Sequence, residues 1–270
     1  MNSRIYFGDS REVLPTLYDE FAGKVALTVT SPPYFVGRGY EDYIKSWHQY
    51  WDMLYKVFKP VRLLTEPFGK VAINFADKYA NSKEYGRPLE WPYVPSYAVM
   101  MHDNYKFDLW ARIIWDKVRV MIDGARHTTN KGRFTGSMRV APNWEYIYVW
   151  RKYIEGKKPV PKNTGITKEE WREYVNGVWR FSSVTSNRKV GNTKLAMYPS
   201  ELPMRLIKMY TEPGDIVLDP FVGTGTTVSE ARKLGRVGIG VEKNLDMLPI
   251  LQETLQSDMF VDDEVEFIIL

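Results

Sequence analysis

The sequence predicts an α/β fold in which helices cover a largely parallel sheet. Short runs of β-branched and apolar residues alternate with amphipathic helical patterns in both the first and the last third of the chain. A glycine-rich segment follows a buried-type strand and opens a helix. With 270 residues, 44% of them apolar, the chain can form one large domain, or one domain that carries an insertion.

The individual elements follow from residue spacing. Strands are predicted where β-branched or aromatic runs are bounded by turn residues, and helices where apolar residues recur at intervals of three and four. The predicted strands are 5–7, 25–30, 71–75, 109–115, 146–150, 215–218 and 237–241, with a closing strand in the acidic tail after residue 257. The predicted helices are 11–21, 42–58, 93–101, 201–210 and 226–234. We interpret the apolar stripe of helix 42–58 as core; it comprises Ile44, Trp47, Trp51, Leu54 and Phe58.

Composition excludes several classes of function. The chain has no cysteine, which rules out disulfides, thiolate zinc sites and cysteine nucleophiles. His48, His102 and His127 lack metal-ligand spacing, so no metal is predicted. No apolar run is long enough to span a bilayer, and the first residues show no secretory signal, so we expect a cytoplasmic protein without a membrane partner.

The modest net charge of +4 is unevenly distributed. Residues 117–194 hold 17 Lys and Arg against 6 Asp and Glu, a net charge of +11, while the rest of the chain carries −7. Two long polar stretches without clear periodicity, 117–143 and 152–177, lie in this basic region. A basic middle inside an acidic remainder indicates a face that meets a polyanion, or a solvated surface with clustered charge.

A first motif, Asp219-Pro220-Phe221-Val222-Gly223-Thr224-Gly225-Thr226-Thr227, follows a predicted strand and opens a helix. Its glycines allow close approach of a ligand, and the amides of a helix N-terminus can bind a carboxylate or phosphate. The next strand ends in Glu242, whose carboxylate can accept both hydroxyls of a ribose. Because Val228 stands where a dinucleotide fingerprint needs its third glycine, and no P-loop lysine is present, the unit predicts a nucleoside cofactor of another kind.

A second motif, Ser31-Pro32-Pro33-Tyr34, ends the strand 25–30. Consecutive prolines have no amide hydrogen and hold a stiff extended turn, so their carbonyls can face outward as acceptors. An amino group presented there could donate one hydrogen to Ser31 Oγ and one to the Pro32 carbonyl, while Tyr34 stacks on a base. A stiff turn that merely ends a strand is the structural alternative.

Together the two motifs resemble those of the DNA amino-methyltransferases, which modify N4 of cytosine or N6 of adenine. Residues 31–34 are similar to their catalytic motif and residues 219–227 to their S-adenosylmethionine loop. The catalytic motif comes first here, an order that resembles the family's β group, in which target recognition lies between the two. Further similar stretches are 8–9, 71–77, 109–117, 145–152 and 196–207.

The resemblance implies a Rossmann-like class I methyltransferase with a mainly parallel seven-stranded sheet, a circularly permuted motif order and a basic target-recognition insertion. It divides the chain into a catalytic part, 1–117, basic insertions at 118–180 that include a core strand near 145–151, and a cofactor-binding part of the same domain, 181–270. The implied catalytic residues are Ser31, Pro32, Pro33 and Tyr34. The implied S-adenosylmethionine-binding residues are Asp9, Asp219, Pro220, Phe221, Gly223, Thr224, Gly225, Thr226, Thr227 and Glu242.

The expected partner is double-stranded DNA. The candidates for reading sequence or binding phosphates are Arg119, Arg126, Lys131, Arg133 and Arg139. A second basic set either follows the DNA backbone or is a solvated loop; it comprises Arg151, Lys152, Lys157, Lys158 and Lys162. A cognate restriction endonuclease acting on the same site and a homodimer are further expectations.

The first residue of the catalytic motif favours one target. Family members with Ser first tend to modify N4 of cytosine and those with Asp first N6 of adenine, so cytosine is expected and adenine is the alternative. An RNA or protein amide methyltransferase is disfavoured by the motif order. A nicotinamide-dependent redox enzyme is disfavoured by the missing glycine. A DNA-binding module that has lost catalysis remains a separate alternative, although residues 31–34 look undamaged.

Overall fold

Strands and helices alternate along the chain as the sequence predicts. The computed structural model describes residues 1–35, 44–80, 89–91, 93–118, 129–130, 133–134, 142–184, 189–190, 193–195, 197–256 and 264–270. Its strands are β1 (Ser3–Phe7), β2 (Val25–Thr30), β3 (Thr65–Phe75), β4 (Lys78–Ala80), β5 (Leu89–Trp91), β6 (Phe107–Asp116), β7 (Thr129–Asn130), β8 (Arg133–Phe134), β9 (Trp144–Lys152), β10 (Val178–Arg180), β11 (Lys189–Val190), β12 (Thr193–Lys194), β13 (Ile216–Asp219), β14 (Val237–Glu242) and β15 (Val265–Ile269). Its α-helices are α1 (Ser10–Thr16), α2 (Tyr18–Phe21), α3 (Trp47–Leu64), α4 (Tyr93–Val99), α5 (Lys168–Tyr174), α6 (Glu201–Tyr210), α7 (Thr226–Lys233) and α8 (Leu248–Gln256).

The main sheet, within the described residues, has nine strands in the order β10-β6-β9-β3-β2-β13-β14-β1-β15. All run parallel except β9, which is antiparallel to both β3 and β6. The predicted seven strands are those from β6 to β1, and β10 and β15 extend the two edges. The acidic tail does close as a strand, β15, beside β1. Strand β10 was not predicted because three residues are too few to show periodicity.

Helices cover both faces of the sheet, and each face has its own core. On one face α1, α3 and α4 pack over side chains such as Val71, Ile73 and Phe75 of β3. On the other face α6 and α7 pack over Leu27, Val29 and neighbouring strands. Helices on both faces of a parallel sheet are the expected α/β architecture. No helix in the described part of the chain combines the length and apolarity that crossing a membrane requires.

Helix α3 carries the predicted stripe except Ile44, which lies before the helix starts, and all five side chains pack in or against the core. The helix begins at Trp47 behind an N-cap, Ser46, whose side chain accepts a hydrogen bond from Gln49 N at 3.2 Å. It continues past Pro60 to Leu64, six residues beyond the predicted end. Burial of Val61 and Leu64 outweighs the helical hydrogen bond that Pro60 cannot donate.

The second polar stretch, after β9, is attached to the sheet in its later part. Helix α5 begins with a capping box between Thr167 and Glu170. Arg205 of α6 is almost fully buried and lies 4.7 Å from the ring centre of Tyr174 while pairing with Glu173. Residues from α5 to β10 therefore pack against the main sheet and α6, within the span that the sequence assigns to the insertions.

The chain changes direction between β2 and β13, which are neighbours at the centre of the sheet. From β2 the chain passes through α3 to β3 on one side, whereas from β13 it passes through α7 to β14 on the other side. Loops after two such strands diverge and leave a crevice at the carboxyl end of the sheet, where ligands of open α/β sheets bind. Both sequence motifs follow these two strands.

Candidate active site

The two motifs, almost 190 residues apart in sequence, meet at this crevice. Thr30 Oγ1, at the end of β2, donates a hydrogen bond to Asp219 Oδ1, at the end of β13, over 2.7 Å. Thr227 Oγ1, in the first turn of α7, donates to the carbonyl of Val29 over 3.4 Å. The proline turn and the glycine-rich loop therefore share one edge of the sheet and are tied together directly.

Asp219 holds the glycine-rich loop rather than facing the crevice. The residue is 1% exposed, and besides Thr30 its carboxylate accepts hydrogen bonds from Phe221 N at 3.0 Å and from the Tyr198 hydroxyl at 3.1 Å. Burial raises its pKa, although these donors oppose the rise. Direct contact between Asp219 and a cofactor stays a prediction, and the observed contacts make it a positioning residue.

The loop from Pro220 to Gly225 needs glycine at its last position. Gly225 has a φ of +88° and caps α7, and a Cβ there would lie 2.9 Å from Leu251 Cδ2. Because the first amides of α7 have no partner inside the helix, they can serve as donors for an anionic group. Thr224, Thr226 and Gly223 lie on the same loop, as the motif predicts.

Glu242 lies at the tip of β14, beside the same loop. Its Oε2 accepts a hydrogen bond from Gly223 N at 3.0 Å, and its Oε1 accepts one from Asn244 N at 2.8 Å. Burial raises the pKa of Glu242 to about 7, with a smaller contribution from the charge of Asp219 and opposed by these backbone donors. A half-buried carboxylate with two oxygens near the loop suits a pair of ribose hydroxyls.

Asp9 follows β1 at the same edge and caps α1. Its carboxylate accepts hydrogen bonds from Arg11, at 2.8 Å and 2.6 Å, and from Lys243 Nζ at 2.9 Å. Burial alone would raise the pKa of Asp9, but these cations and hydrogen bonds lower it well below its usual range. A cavity of about 300 Å³ adjoins this network, and it is lined by Arg11, Ile44, Gln49, Asp52 and Lys243. Asp9 thus holds the Arg11 and Lys243 side chains beside this cavity. Contact between Asp9 itself and a cofactor stays a prediction.

The proline turn is held through the Tyr34 hydroxyl. Ser31 Oγ donates to this hydroxyl over 3.1 Å, and the single phenolic proton can go to the Asn74 carbonyl at 3.2 Å or to Glu145 Oε2 at 3.3 Å. Because Ser31 uses its proton here, its lone pairs are left to accept from another group. Burial raises the pKa of Tyr34 well above 10, with a further rise from the charge of Glu145, so it remains a neutral phenol.

Aromatic rings support the turn from behind. The Tyr93 hydroxyl donates to the Tyr34 carbonyl over 3.0 Å. Phe35, at a φ of +51°, stacks on Trp47 and Tyr50 at ring-centre distances of 6.0 and 5.9 Å. Stacking of this kind fixes a backbone conformation that a phenylalanine rarely adopts.

Four polar residues of the site were not predicted from the sequence: Ser10, Lys117, Glu145 and Tyr198. Ser10 Oγ donates to the Pro220 carbonyl over 2.5 Å, and Tyr198 contacts both Asp219 and Thr227. Glu145 pairs with Lys117 and reaches Tyr34. The sequence signal for Glu145 is an acidic residue near the start of β9, a strand rich in aromatic residues. Its role depends on which strands lie beside β9, and the sequence alone does not show that order.

The predicted DNA-contacting residues cannot be placed with the site. Arg119, Arg126, Lys131 and Arg139 lie outside the described residues. Arg133 belongs to the short strand β8, and its side chain lies outside the described structure.

The second basic set lies at the edge of the sheet opposite the crevice. Lys152 Nζ donates to the carbonyl of Thr65, where β3 begins. Lys162 pairs with Glu66 at 2.8 Å and with Asp215, just before β13, at 2.6 Å. Arg151 lies 4.1 Å from the ring centre of Trp110, and Lys157 and Lys158 are exposed between these attachments. These contacts favour structural and solvated roles, and contact of this set with the DNA backbone stays a prediction.

Sequence comparisons agree with this geometry. A family model for DNA methylases, the N6/N4 methyltransferase model, matches residues 25–253. The type II methyltransferase M.MjaI of Methanocaldococcus jannaschii is 29% identical over 99% of this chain and 96% of its own length. M.ScaI of Streptomyces caespitosus, also a type II methyltransferase, is 27% identical over 94% of this chain and 81% of its own.

Solved structures show the same fold. TTHA0409 of Thermus thermophilus, a candidate DNA modification methylase solved with S-adenosyl-L-methionine, superposes with a TM-score of 0.74 at 29% identity, over 99% of this chain and 98% of that one. The cytosine-N4-specific PvuII DNA methyltransferase shares the fold with a TM-score of 0.69 at 22% identity, over 98% and 95% of the two chains. With its proline turn and glycine-rich loop joined at the switch point, and with the family model matching most of its length, the chain belongs to the N6/N4 family of DNA methylases.

Proposed function

We propose that this protein transfers a methyl group from S-adenosylmethionine to the exocyclic amine of a base flipped out of duplex DNA, with N4 of cytosine as the target atom. The observation that carries the proposal is the junction of β2 and β13. It holds an acceptor-rich proline turn beside a nucleoside-type pocket, through the 2.7 Å hydrogen bond between Thr30 and Asp219.

The residues at the carboxyl edge fit S-adenosylmethionine. Glu242 offers a carboxylate for the ribose hydroxyls, and the loop of Gly223 and Gly225 with the start of α7 offers amide donors for the amino-acid carboxylate. The cavity bounded by Arg11, Ile44 and Lys243 adjoins these groups. When bound, this cofactor supplies an electrophilic methyl group.

The proline turn prepares the amine. Its nitrogen is a poor nucleophile because the lone pair is delocalised into the ring of the base. Hydrogen bonds from the amine to Ser31 Oγ and to the Pro32 carbonyl favour a more tetrahedral nitrogen. Tyr34, anchored through its hydroxyl, can stack on the base, whose extrusion costs a few kcal/mol. Positioning of this kind contributes up to roughly 7–11 kcal/mol, and no covalent enzyme intermediate is needed.

The choice of cytosine rests on Ser31. In the family that the sequence resembles, Ser at this position tends to accompany N4-cytosine modification and Asp N6-adenine modification. Adenine N6 is therefore the alternative, since either base presents an amine to the same acceptors. A DNA-binding module that has lost catalysis is disfavoured because Ser31 and Tyr34 keep their hydrogen bonds.

Nucleoside analysis tests the proposal directly. Duplex DNA of mixed sequence is incubated with the protein and methyl-labelled S-adenosylmethionine, digested, and analysed by mass spectrometry. We expect labelled N4-methylcytosine. Labelled N6-methyladenine would overturn the target assignment alone, and DNA without label would overturn the enzyme assignment.

Two substitutions in the proline turn separate catalysis from cofactor binding. Ser31→Ala and Tyr34→Ala remove an amine acceptor and the stacking ring, so we expect turnover to fall by at least about 10²-fold. Calorimetry should show an unchanged affinity for S-adenosylmethionine, because these two side chains hydrogen-bond to each other, Asn74 and Glu145 rather than to Glu242. Asp219→Ala is the counterpart, because it frees the loop and should weaken that affinity. Full turnover in both turn variants would refute the assignment.

The partners remain proposals beyond DNA itself. The names of the relatives as type II methyltransferases support the expectation of a cognate restriction endonuclease. The role of Arg119, Arg126, Lys131, Arg133 and Arg139 in DNA contact, and the homodimer, stay predictions of the sequence.

A further inference from the structure

Methylation of an amine leaves one proton to remove, and the site contains a path for it. The amine nitrogen gains a carbon and must lose a hydrogen to end neutral. Ser31 Oγ, the predicted acceptor of that hydrogen, already donates its own proton to Tyr34 over 3.1 Å. Tyr34 in turn reaches Glu145 Oε2 at 3.3 Å. The side chains of Ser31 and Tyr34 thus connect the position of the amine to the carboxylate of Glu145.

Glu145 is placed to end this path. It lies at the start of β9, its side chain is 14% exposed, and its other oxygen pairs with Lys117 at the end of β6. This ion pair fixes the position of the carboxylate beside the proline turn. Besides Lys117, Tyr34 is the titratable side chain that hydrogen-bonds to Glu145 among the described residues, and Tyr97 and Tyr50 interact with Tyr34. The backbone carbonyl of Asn74 competes for the Tyr34 proton but cannot take it up, so Glu145 is the acceptor that can change charge.

Other acids near the crevice are occupied. Asp219 is enclosed by Thr30, Tyr198 and Phe221 N, and Glu242 faces the cofactor side of the loop. Asp9 is bound by Arg11 and Lys243. Of the carboxylates described around the site, Glu145 is the one whose hydrogen bond reaches a side chain within residues 31–34.

We propose that Ser31, Tyr34 and Glu145 form a proton relay that takes the proton released by the target amine, with Lys117 holding the Glu145 carboxylate in place. As the new N–C bond forms, the N–H bond breaks and its electron pair stays on nitrogen. The proton passes to Ser31 Oγ, the Ser31 proton to the Tyr34 oxygen, and the Tyr34 proton to Glu145 Oε2. Glu145 returns the proton to water after the product leaves. The relay rests on the proposed function, and Glu145 acts through Tyr34 as a positioning residue.

Glu145→Gln tests the relay because the amide keeps the shape and the hydrogen bond to Tyr34 but is not a base. At saturating cofactor, we expect its single-turnover rate of DNA methylation to fall by roughly 10²-fold. In the wild type this rate should show an acid limb in its pH profile and a solvent isotope effect involving more than one proton. Both features should be absent from the variant. Glu66→Gln is the matched control, since Glu66 pairs with Lys162 at similar exposure on the opposite edge of the sheet.

A second measurement needs neither cofactor nor DNA. In free protein labelled at the tyrosine ¹³Cζ, with Tyr34 assigned from a Tyr34→Phe sample, the Tyr34 resonance should shift in Glu145→Gln, because its hydrogen bond then meets a neutral amide. It should not shift in the control, Glu66→Gln. Lys117→Met is a second variant that leaves Glu145 in place. It should lower the single-turnover rate, because the carboxylate loses the partner that holds it beside Tyr34.

Two results would overturn the relay. One is a Glu145→Gln rate equal to that of the wild type. The other is a slower rate with an unchanged pH profile and isotope effect, which would make Glu145 a purely structural support for Tyr34. A wild-type protein that leaves DNA unmethylated would instead refute the proposed function, while the Tyr34 resonance would still report whether the two side chains are coupled.

Discussion

At the scale of the residue, the protonation state of Glu242 links cofactor binding to pH. Its oxygens lie at 3.0 and 2.8 Å from two backbone amides, and burial nevertheless brings its pKa to about 7. The ionised carboxylate accepts hydrogen bonds from two hydroxyls, whereas the protonated form has less acceptor capacity. The free protein at neutral pH therefore contains both forms, and a ribose bound at Glu242, as proposed, should select the charged one.

The affinity for S-adenosylmethionine should consequently fall as pH drops below about 7, by up to about tenfold per pH unit. Calorimetry between pH 5.5 and pH 8.5 would measure this affinity, and Glu242→Gln should bind more weakly at pH 8 but without the pH dependence.

The stability of the folded protein should change with pH in the opposite direction to the affinity. Because the folded pKa exceeds the value of 4.5 for an unperturbed Glu, the folded protein loses stability as pH rises from about 4.5 to about 7, and the loss is complete above 7. The Tm of Glu242→Gln relative to the wild type should therefore increase between these two pH values and stay constant above them. A pH-independent wild-type affinity would contradict the assignment of Glu242 to the ribose.

At the scale of the element, the glycine loop between β13 and α7 packs closely against the sheet. Gly225 starts α7 in the left-handed region, and Gly240 of β14 gives room to Val222, whose Cγ2 lies 2.7 Å from where a Cβ would stand. The loop therefore lies closer to the sheet than side chains would allow. This closeness brings Gly223 to Glu242.

Gly225→Ala should disturb this element in two ways. The backbone conformation costs an L-residue about 1–2 kcal/mol, and the added methyl meets Leu251 at 2.9 Å. We expect a lower Tm and weaker binding of S-adenosylmethionine. Gly156→Ala is the control, because its φ of +72° imposes the same strain while no atom lies within 4 Å of its Cβ. Equal losses of Tm in the two variants, with equal cofactor affinity, would show that the contact with Leu251 has no effect.

At the scale of the whole molecule, part of the basic charge in the middle of the chain lies on the edge of the sheet opposite the crevice. Lys152 and Lys162 are attached near the starts of β3 and β13, away from the crevice. DNA bound at the proline turn should therefore be contacted by the insertion between β6 and β9 rather than by these lysines.

Salt dependence of DNA binding distinguishes the two basic regions. The double variant Lys157→Glu, Lys158→Glu should keep the wild-type affinity and salt dependence, because these exposed side chains lie on the far edge. Arg133→Ala should weaken binding and reduce the slope of log K against log salt concentration by about one if it neutralises a phosphate. Fluorescence anisotropy with duplex DNA at several salt concentrations gives both values. The reverse result would place the DNA on the opposite edge of the sheet.

The sequence predicts much of this architecture because most elements carry a local signal. Helix α6 and strand β2 have the predicted bounds, and the two motifs lie on the expected strand-to-loop junctions. Helix α3 runs beyond its predicted end, since Pro60 acts as a local stop signal whose cost is outweighed by tertiary burial. Strand β10 is too short for a local pattern, so its pairing with β6 was visible only in the fold.

The sequence by itself determined the α/β class, the two motifs and the family, because glycine and proline act through the backbone of their own few residues. Tertiary structure alone decided which side chains surround those motifs. Thr30 meets Asp219, and Glu145 meets Tyr34, across 189 and 111 residues of chain. Such contacts depend on strand order and register, which are set by the packing of the whole sheet rather than by any local pattern of residues.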